Sequence, residues 1–333
     1  NGNIYSSISV INAINLSRNY LFTLLTFPLF EILQGSTQTE RNRFIRNICT
    51  LGFCALLVRL IGWYIYNYHG IDLIPGYFSV MGYNWIRGGN VRIGGKFLDE
   101  LVFVCTSICF LKTKEIKEKL LSGCVLSIMF LYSYLVYGSR SQIVCYIITF
   151  ILIYIVNGRN LKKGALNVIL ILSIIGIFIF STTVVQNFIA SFSINDKLYG
   201  AGTMVRVDGQ KLYQQKWLEN SILFGFGITE DGNYFGLTKY YLSDLGILRN
   251  LYQYGVVGLL ICIMPFINGL RTSLIGLYNK SQYSTLLLGL TVYTIFSSIG
   301  SQNVYDYSRI LIIPFILAFI GVVSKNNKIL GEK

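Results

Sequence analysis

Arginines lie at or next to the ends of several apolar segments of this chain. Arg140 falls in the motif Gly138-Ser139-Arg140-Ser141, between two such segments, and Arg206 opens a polar stretch of helical spacing. Arginine is permanently charged, and its planar fork of donors binds phosphate oxygens in a bidentate manner. Arginines held at a membrane surface beside a hydrophobic bundle would suit a ligand with both a diphosphate and a lipid tail.

The segment 190–250 is a long polar and aromatic stretch between two hydrophobic runs. Loops of this length are usually binding sites, lids or disordered. Helical spacing predicts a surface helix over 205–220 with four residues on one face, namely Arg206, Gln210, Tyr213 and Trp217. The aromatic side chains could stack on sugars or pack the loop onto the bundle, and the sequence leaves both readings open.

Further charged residues complete the set of candidates. Arg92, Arg249 and Arg309 lie in or next to the predicted outward segments and are expected to contribute to ligand binding together with Tyr213 and Trp217. A single interfacial arginine is also explained by snorkelling to lipid headgroups. The candidate general bases are Asp244, Asp208 and Glu219, each of which could instead be a structural or solvated carboxylate.

The composition indicates a polytopic membrane protein. Of the 333 residues, 53% are hydrophobic and 13% are charged, against about 25% charged in soluble domains. The net charge of +13 could suggest nucleic acid, but the basic residues fall mostly between apolar runs, where they set membrane orientation. No nucleic-acid partner is therefore expected. Because the chain begins at Asn1, we expect it to be part of a longer chain that could carry further helices.

The apolar runs predict an all-α bundle of about nine transmembrane helices in a single integral membrane domain, residues 1–333. Helices 1–6 occupy 20–189, one large external loop occupies 190–250, and helices 7–9 occupy 251–323. The nine predicted spans are 20–33, 44–68, 97–111, 120–137, 143–156, 165–189, 251–267, 283–299 and 310–323.

Charge in the short connections predicts the orientation of the bundle. Basic residues concentrate in alternate short loops and the tail, which are therefore assigned to the cytoplasm together with the C-terminus. The segments 68–96, 138–142, 190–250 and 300–309 are then expected to face outward.

Two charges inside predicted helices are candidates for function by default. Glu31 is near the cytoplasmic end of the first helix, whereas Arg59 is in the outer half of the second, where Asp99 or Glu100 could reach it. The seven cysteines lie in apolar stretches without a C-x-x-C pair, and His69 is the only histidine. We therefore expect no metal site and no cofactor.

Glycine motifs lie before the seventh span and at its start. Gly225-Phe226-Gly227 follows an apolar run and suggests a sharp turn or a close backbone approach. Asp244 then leads into Tyr254-Gly255-Val256-Val257-Gly258, whose glycines are interpreted as sites of tight helix packing.

In order and topology, these motifs resemble the O-antigen polymerase and ligase superfamily. The resemblance rests on the 138–141 motif, a large outer loop with Arg206, Trp217 and Gly225-Phe226-Gly227, the Asp244 segment and the 254–258 motif. It implies a GT-C-like, metal-independent glycosyltransferase of the bacterial plasma membrane that uses undecaprenyl-diphosphate-linked glycans as donor and acceptor. Arg140 and Arg206 align with the family's paired arginines, which implies diphosphate binding.

One departure from the family pattern bears on the type of enzyme. The ligase branch typically carries a histidine in the large loop, where this chain has Ser243-Asp244 and no histidine. The resemblance therefore favours the polymerase branch (Wzy type), which builds O-antigen or capsular polysaccharide and can work with a chain-length regulator. A ligase that transfers glycan to a lipid core and a transporter or flippase of lipid-linked oligosaccharide are the alternatives.

Overall fold

The computed structural model describes residues 18–73, 86–87, 89–157, 193, 200–228, 240–300 and 303–331, which are mostly helical. A 3-10 helix, Arg18–Leu25, leads into α1. The helices are α1 Thr26–Gly35, α2 Gln38–His69, α3 Phe97–Lys112, α4 Ile116–Leu131 (extended by a π-helical turn, Tyr132–Val136), α5 Arg140–Asn157, α6 Gly200–Glu219, α7 Leu248–Tyr278, α8 Ser284–Ile299 and α9 Ile312–Gly331. A two-residue hairpin, β1 Ile86–Arg87 and β2 Asn90–Val91, precedes α3.

The predicted spans coincide with these helices, except the sixth (165–189), which lies outside the described residues. Four helical segments are long and apolar enough to cross a membrane: α2, Ile116–Val136, α5 and α7. Two further apolar helical segments, Ser284–Ile299 of α8 and Ile312–Asn327 of α9, are shorter than these four. The described chain is thus a helical bundle consistent with a membrane protein.

Helix α8 lies at the centre of the bundle and contacts α3, α5, α7 and α9. It is buried along nearly its whole length, including the polar Thr291 and Thr294, whose hydroxyls bond to carbonyls one turn earlier. Small residues allow this packing: a Cβ added at Gly289 would lie 2.6 Å from Val104 of α3. The centre of the bundle thus depends on close helix contacts.

The charge predicted inside the second span is paired as expected. Arg59 of α2 forms an ion pair with Asp99 at the start of α3, and its Nη1 donates to Asp99 Oδ2 at 3.1 Å and to the Tyr132 hydroxyl at 3.2 Å. The Lys96 amide also donates to Asp99, at 2.8 Å. Glu31, the other intrahelical charge, is exposed on α1.

Helix α7 is broken at Gly255, whose φ of 68° and ψ of −167° are not helical. At the break, carbonyls and amides of α7 lose their partners within the helix. They bond instead to the backbone of the 221–227 loop. These bonds run from Phe226 N to Tyr252 O (2.9 Å), Gly227 N to Gln253 O (2.9 Å), Val256 N to Ile222 O (3.1 Å) and Val257 N to Leu223 O (3.2 Å).

The glycines explain why the loop and the helix can approach so closely. Gly225 has a φ of 70°, and a Cβ added there would lie 2.5 Å from the Gln253 carbonyl group. The expected close backbone approach at Gly225 is confirmed. The sequence suggested that Gly255 permits tight helix packing. Its positive φ also interrupts the helix, and the backbone of Leu223 occupies the space that a side chain would need.

Candidate functional site

Arg140 is the first residue of α5 and follows a tight turn. Gly138 has a φ of 57°, and the Ser139 amide donates to the Ser133 carbonyl at 3.2 Å. The Ser139 hydroxyl accepts from the Gln142 amide at 3.4 Å and lies 3.0 Å from the Ser141 hydroxyl. These bonds cap the helix, so the backbone at Arg140 is held in place as the sequence predicted.

The segments predicted to face outward meet at one end of the bundle. The Arg92 Cδ lies 3.3 Å from the position of a Cβ at Gly138. A Cβ added at Gly300 would lie 3.6 Å from Ser141 Cβ, and one at Gly246 would lie 3.0 Å from the Gly300 carbonyl. Residues 91–96, 138–142, 244–253, 298–300 and 303–309 therefore lie together in one region, which we call the polar end of the bundle.

Helix α6 confirms the predicted surface helix and turns one face toward the residues that precede α7. A Cβ added at Gly209 would lie 3.4 Å from Tyr240, and Tyr213 donates its hydroxyl to the Tyr240 carbonyl at 2.7 Å. Gln210, which was placed on the same face as Arg206, Tyr213 and Trp217, is exposed. Gly209 lies at the contact with Tyr240.

The aromatic residues of α6 form a second small core. Tyr213 is fully buried, with its ring 6.1 Å from Phe226 and 6.4 Å from Tyr252, and Trp217 packs on Tyr252 at 6.2 Å. The Trp217 indole also donates to the Ile222 carbonyl at 3.2 Å. In this structure both predicted sugar-contacting aromatics fasten α6 to the 221–227 loop and α7, and Tyr213 is closed to solvent.

Asp244 is electrostatically coupled to two other predicted site residues, Arg206 and Arg92. It lies half-buried in a 3-10 turn, Leu242–Leu245. Burial raises the pKa of its carboxyl above the ordinary value, while the nearby charges of Arg206 and Arg92 act to lower that pKa. Arg206 has a buried Nε that has no hydrogen-bond partner among the residues described. The charges of two guanidinium groups thus act on one half-buried carboxylate.

Arg249, at the start of α7, forms an ion pair with Asp306 and donates its Nε to Gln253 at 3.0 Å. Burial raises the pKa of Asp306, the charges of Arg249 and Arg309 oppose that rise, and Asp244 adds to it. Asp306 therefore links Arg249 electrostatically to the region of Asp244.

Arg309 lies in the turn before α9 instead of beginning the last helix. Its Nη1 donates to Glu100 of α3 at 2.8 Å, and the side chains are 4% and 2% exposed. A Cβ added at Gly95 would lie 3.2 Å from Arg309 Nη2 and 3.3 Å from the Gln142 amide. Arg309 was predicted to bind substrate. Its side chain is instead buried and paired with a carboxylate of the protein, Glu100.

We expect the Arg309–Glu100 pair to stabilise the bundle. Arg309→Met leaves the Glu100 carboxylate buried without its partner, so the free energy of unfolding should fall by about 3–5 kcal/mol. Glu100→Gln in the same chain removes the stranded charge and should recover most of the lost stability. Thermal unfolding of the single and double variants in detergent measures both effects. If the double variant is as unstable as Arg309→Met, stranded charge is not the cause.

The other two candidate bases differ from Asp244 in their surroundings. Glu219 is exposed and bonds to Lys216 at 2.8 Å, and the hydrogen bonds from Lys216 and Gln215 lower its pKa. Asp208 is half-buried on α6. Of the three, Asp244 is the carboxylate whose pKa the charges of both Arg206 and Arg92 act to lower.

Sequence reasoning missed Asp306 and Gln142. Asp306 precedes Arg309 by three residues in a short polar segment between two apolar runs, a spacing that could have marked it as a partner for a nearby arginine. Gln142 follows the arginine motif by one residue on α5 and is fully buried. No pattern in the sequence distinguishes it from an exposed glutamine.

No protein-family model matches this chain, and a search of curated proteins finds no match either. Over the described ranges, His, Cys, Asp and Glu side chains form no group of three that could hold a metal ion. The chemical groups of this region are guanidinium groups that can bind an anion and a half-buried carboxylate, Asp244, that can accept a proton.

Proposed function

We propose that this chain is a polysaccharide polymerase of the Wzy type. It joins undecaprenyl-diphosphate-linked repeat units into O-antigen or capsular polysaccharide. The fold would be GT-C-like, in the bacterial plasma membrane, with the polar end outside and the C-terminus in the cytoplasm. The motifs around Arg140, Arg206 and Asp244 are the reason for choosing this family.

The observation that carries the proposal is the region around Arg206. A guanidinium group with a buried Nε and no bonded partner for it within the described chain is costly unless something else binds it. The charges of Arg206 and Arg92 both act to lower the pKa of Asp244, and Arg140 begins α5 next to the turn that contacts Arg92. A diphosphate would supply the oxygens that such donors need.

The proposed reaction is an inverting glycosyl transfer. The growing glycan on undecaprenyl diphosphate is the donor, and a sugar hydroxyl of another lipid-linked repeat unit is the acceptor. The hydroxyl oxygen bonds to the anomeric carbon as the bond from that carbon to the diphosphate breaks, and the lipid diphosphate leaves with the electron pair. The proton of the hydroxyl passes to the Asp244 carboxylate, and Arg140 and Arg206 stabilise the charge that develops on the diphosphate.

The function is tested in cells that lack this protein. We expect the deletion to leave single repeat units on the surface lipid and to abolish long chains, with restoration by the wild-type gene. A surface lipid without any repeat unit would instead identify a ligase. Unchanged chain lengths in the deletion strain would contradict the proposal.

A further inference from the structure

The tip of the 221–227 loop is apolar and exposed. Ile222, Leu223 and Phe224 are 45%, 57% and 62% exposed. The tip adjoins the exposed apolar surface of α7, because the Val257 amide donates to the Leu223 carbonyl and Val257 itself is 41% exposed. That surface continues along α7 through Leu260, Ile261, Met264 and Ile267.

The helix α7 is one of those long and apolar enough to cross a membrane. Its exposed apolar residues beyond the Gly255 break are then the surface that bilayer lipid would cover. Since the loop tip is continuous with that surface, the same lipid is the occupant that its side chains fit. A soluble partner would have to cover the tip without covering the adjoining residues of a membrane helix.

Water is scarce at a membrane boundary, so irregular backbone there needs partners for its polar groups within the protein. Four bonds to the broken helix supply such partners to the Ile222 and Leu223 carbonyls and to the Phe226 and Gly227 amides. In addition, the Gly225 amide donates to the Ser221 carbonyl at 2.7 Å, and the Phe224 amide donates to the Ser221 hydroxyl at 3.2 Å. The loop therefore presents apolar side chains on a backbone that is largely bonded inward.

Polar and amphipathic residues flank the tip on its α6 side. Trp217 donates its indole N–H to the Ile222 carbonyl, and Lys216 and Glu219, on either side of Trp217 in the sequence, form an exposed ion pair. Tryptophan and charged side chains are typical of the boundary between membrane and water. The end of α6 thus carries residues suited to that boundary immediately before the apolar tip.

We propose that the 221–227 loop is embedded in the lipid, with Ile222, Leu223 and Phe224 among the acyl chains. The loop then fixes the depth of α6, because Trp217, Tyr213 and Phe226 join the helix to it. It acts as an anchor that keeps the outer helix at the membrane boundary. This inference concerns the bilayer contact and does not depend on the chemistry at the polar end.

Cysteine labelling in proteoliposomes tests the anchor. Phe224→Cys is compared with Tyr241→Cys, because the two native side chains are similarly exposed, at 62% and 59%. Both are made in a chain whose native cysteines are replaced and whose melting temperature is that of the wild type. Because a thiol in lipid ionises poorly, a water-soluble maleimide should label Cys at 224 more slowly than at 241 by about an order of magnitude. After unfolding in SDS, the rates should be equal.

A second measurement shows whether lipid or protein covers the loop tip. A bimane fluorophore at 224 should be quenched by phospholipids that carry a nitroxide on the acyl chain, and one at 241 should not. Equal labelling rates in the bilayer would overturn the anchor. Slow labelling at 224 without quenching by the acyl-chain nitroxide would overturn it as well, since protein would then cover the tip.

Discussion

Arg206→Ala is expected to slow elongation of lipid-linked repeat units by ~10²–10³-fold, the usual cost of removing one donor from a developing negative charge. Arg140→Ala should reduce the elongation rate by a similar factor, because the proposed mechanism assigns both guanidinium groups to the leaving diphosphate. Arg206→Lys should recover part of the rate, since it restores the charge without the bidentate fork. The measurement is the initial elongation rate of purified protein in proteoliposomes.

Lys211→Ala is the matched control for this experiment. Lys211 lies on the same helix and is exposed, so the substitution removes one positive charge from α6 without touching the region of Asp244. Its elongation rate should remain that of the wild type. If Arg206→Ala elongates as fast as Lys211→Ala, the diphosphate role of Arg206 is wrong.

Asp244→Asn is expected to reduce the elongation rate by ~10²–10⁴-fold if Asp244 accepts the proton of the acceptor hydroxyl. The wild-type rate should also fall as the pH drops, because a general base works only when ionised. Burial raises the pKa of Asp244, so this fall should occur at a higher pH than the ordinary aspartate pKa of about 3.9 would give. The pH profile of kcat/KM measures the effect.

The exposed Glu219 provides the control for this prediction. Glu219→Gln removes a carboxylate that is paired with Lys216 at the end of α6, and its pH profile should match that of the wild type. The fall of kcat/KM at low pH, which we call the acidic limb, should be missing from the pH profile of Asp244→Asn. If that variant keeps both the wild-type rate and the limb, the transfer proceeds without Asp244 as base, relying on the diphosphate as a good leaving group.

The helices and the Arg140 turn could be predicted because they depend on local sequence. Apolar runs of spanning length place α2, α4 and α7, and Gly138 with its neighbouring serines indicates a tight turn. The Arg59–Asp99 pair was also predictable, since two buried charges at matching depth are expected to meet.

The remaining features depend on contacts between distant parts of the chain. Helix α6 packs at Gly209 against Tyr240, which lies well beyond the end of that helix in the sequence. The break at Gly255 is stabilised by the 221–227 loop some thirty residues earlier. Arg309 pairs with Glu100, which is 209 positions away. Neither spacing nor hydropathy gives the partner in these cases.

If the polar end is a site of glycosyl transfer and the arginines bind the departing diphosphate, the protein alone should elongate lipid-linked repeat units. The direct measurement is incubation of purified, reconstituted protein with undecaprenyl-diphosphate-linked repeat units, without an ion gradient or a nucleotide. We predict a ladder of longer lipid-linked glycans that is lost in Arg140→Ala and Arg206→Ala. Folded wild-type protein that leaves every repeat unit at its original length, or only moves it across the bilayer, would contradict the account.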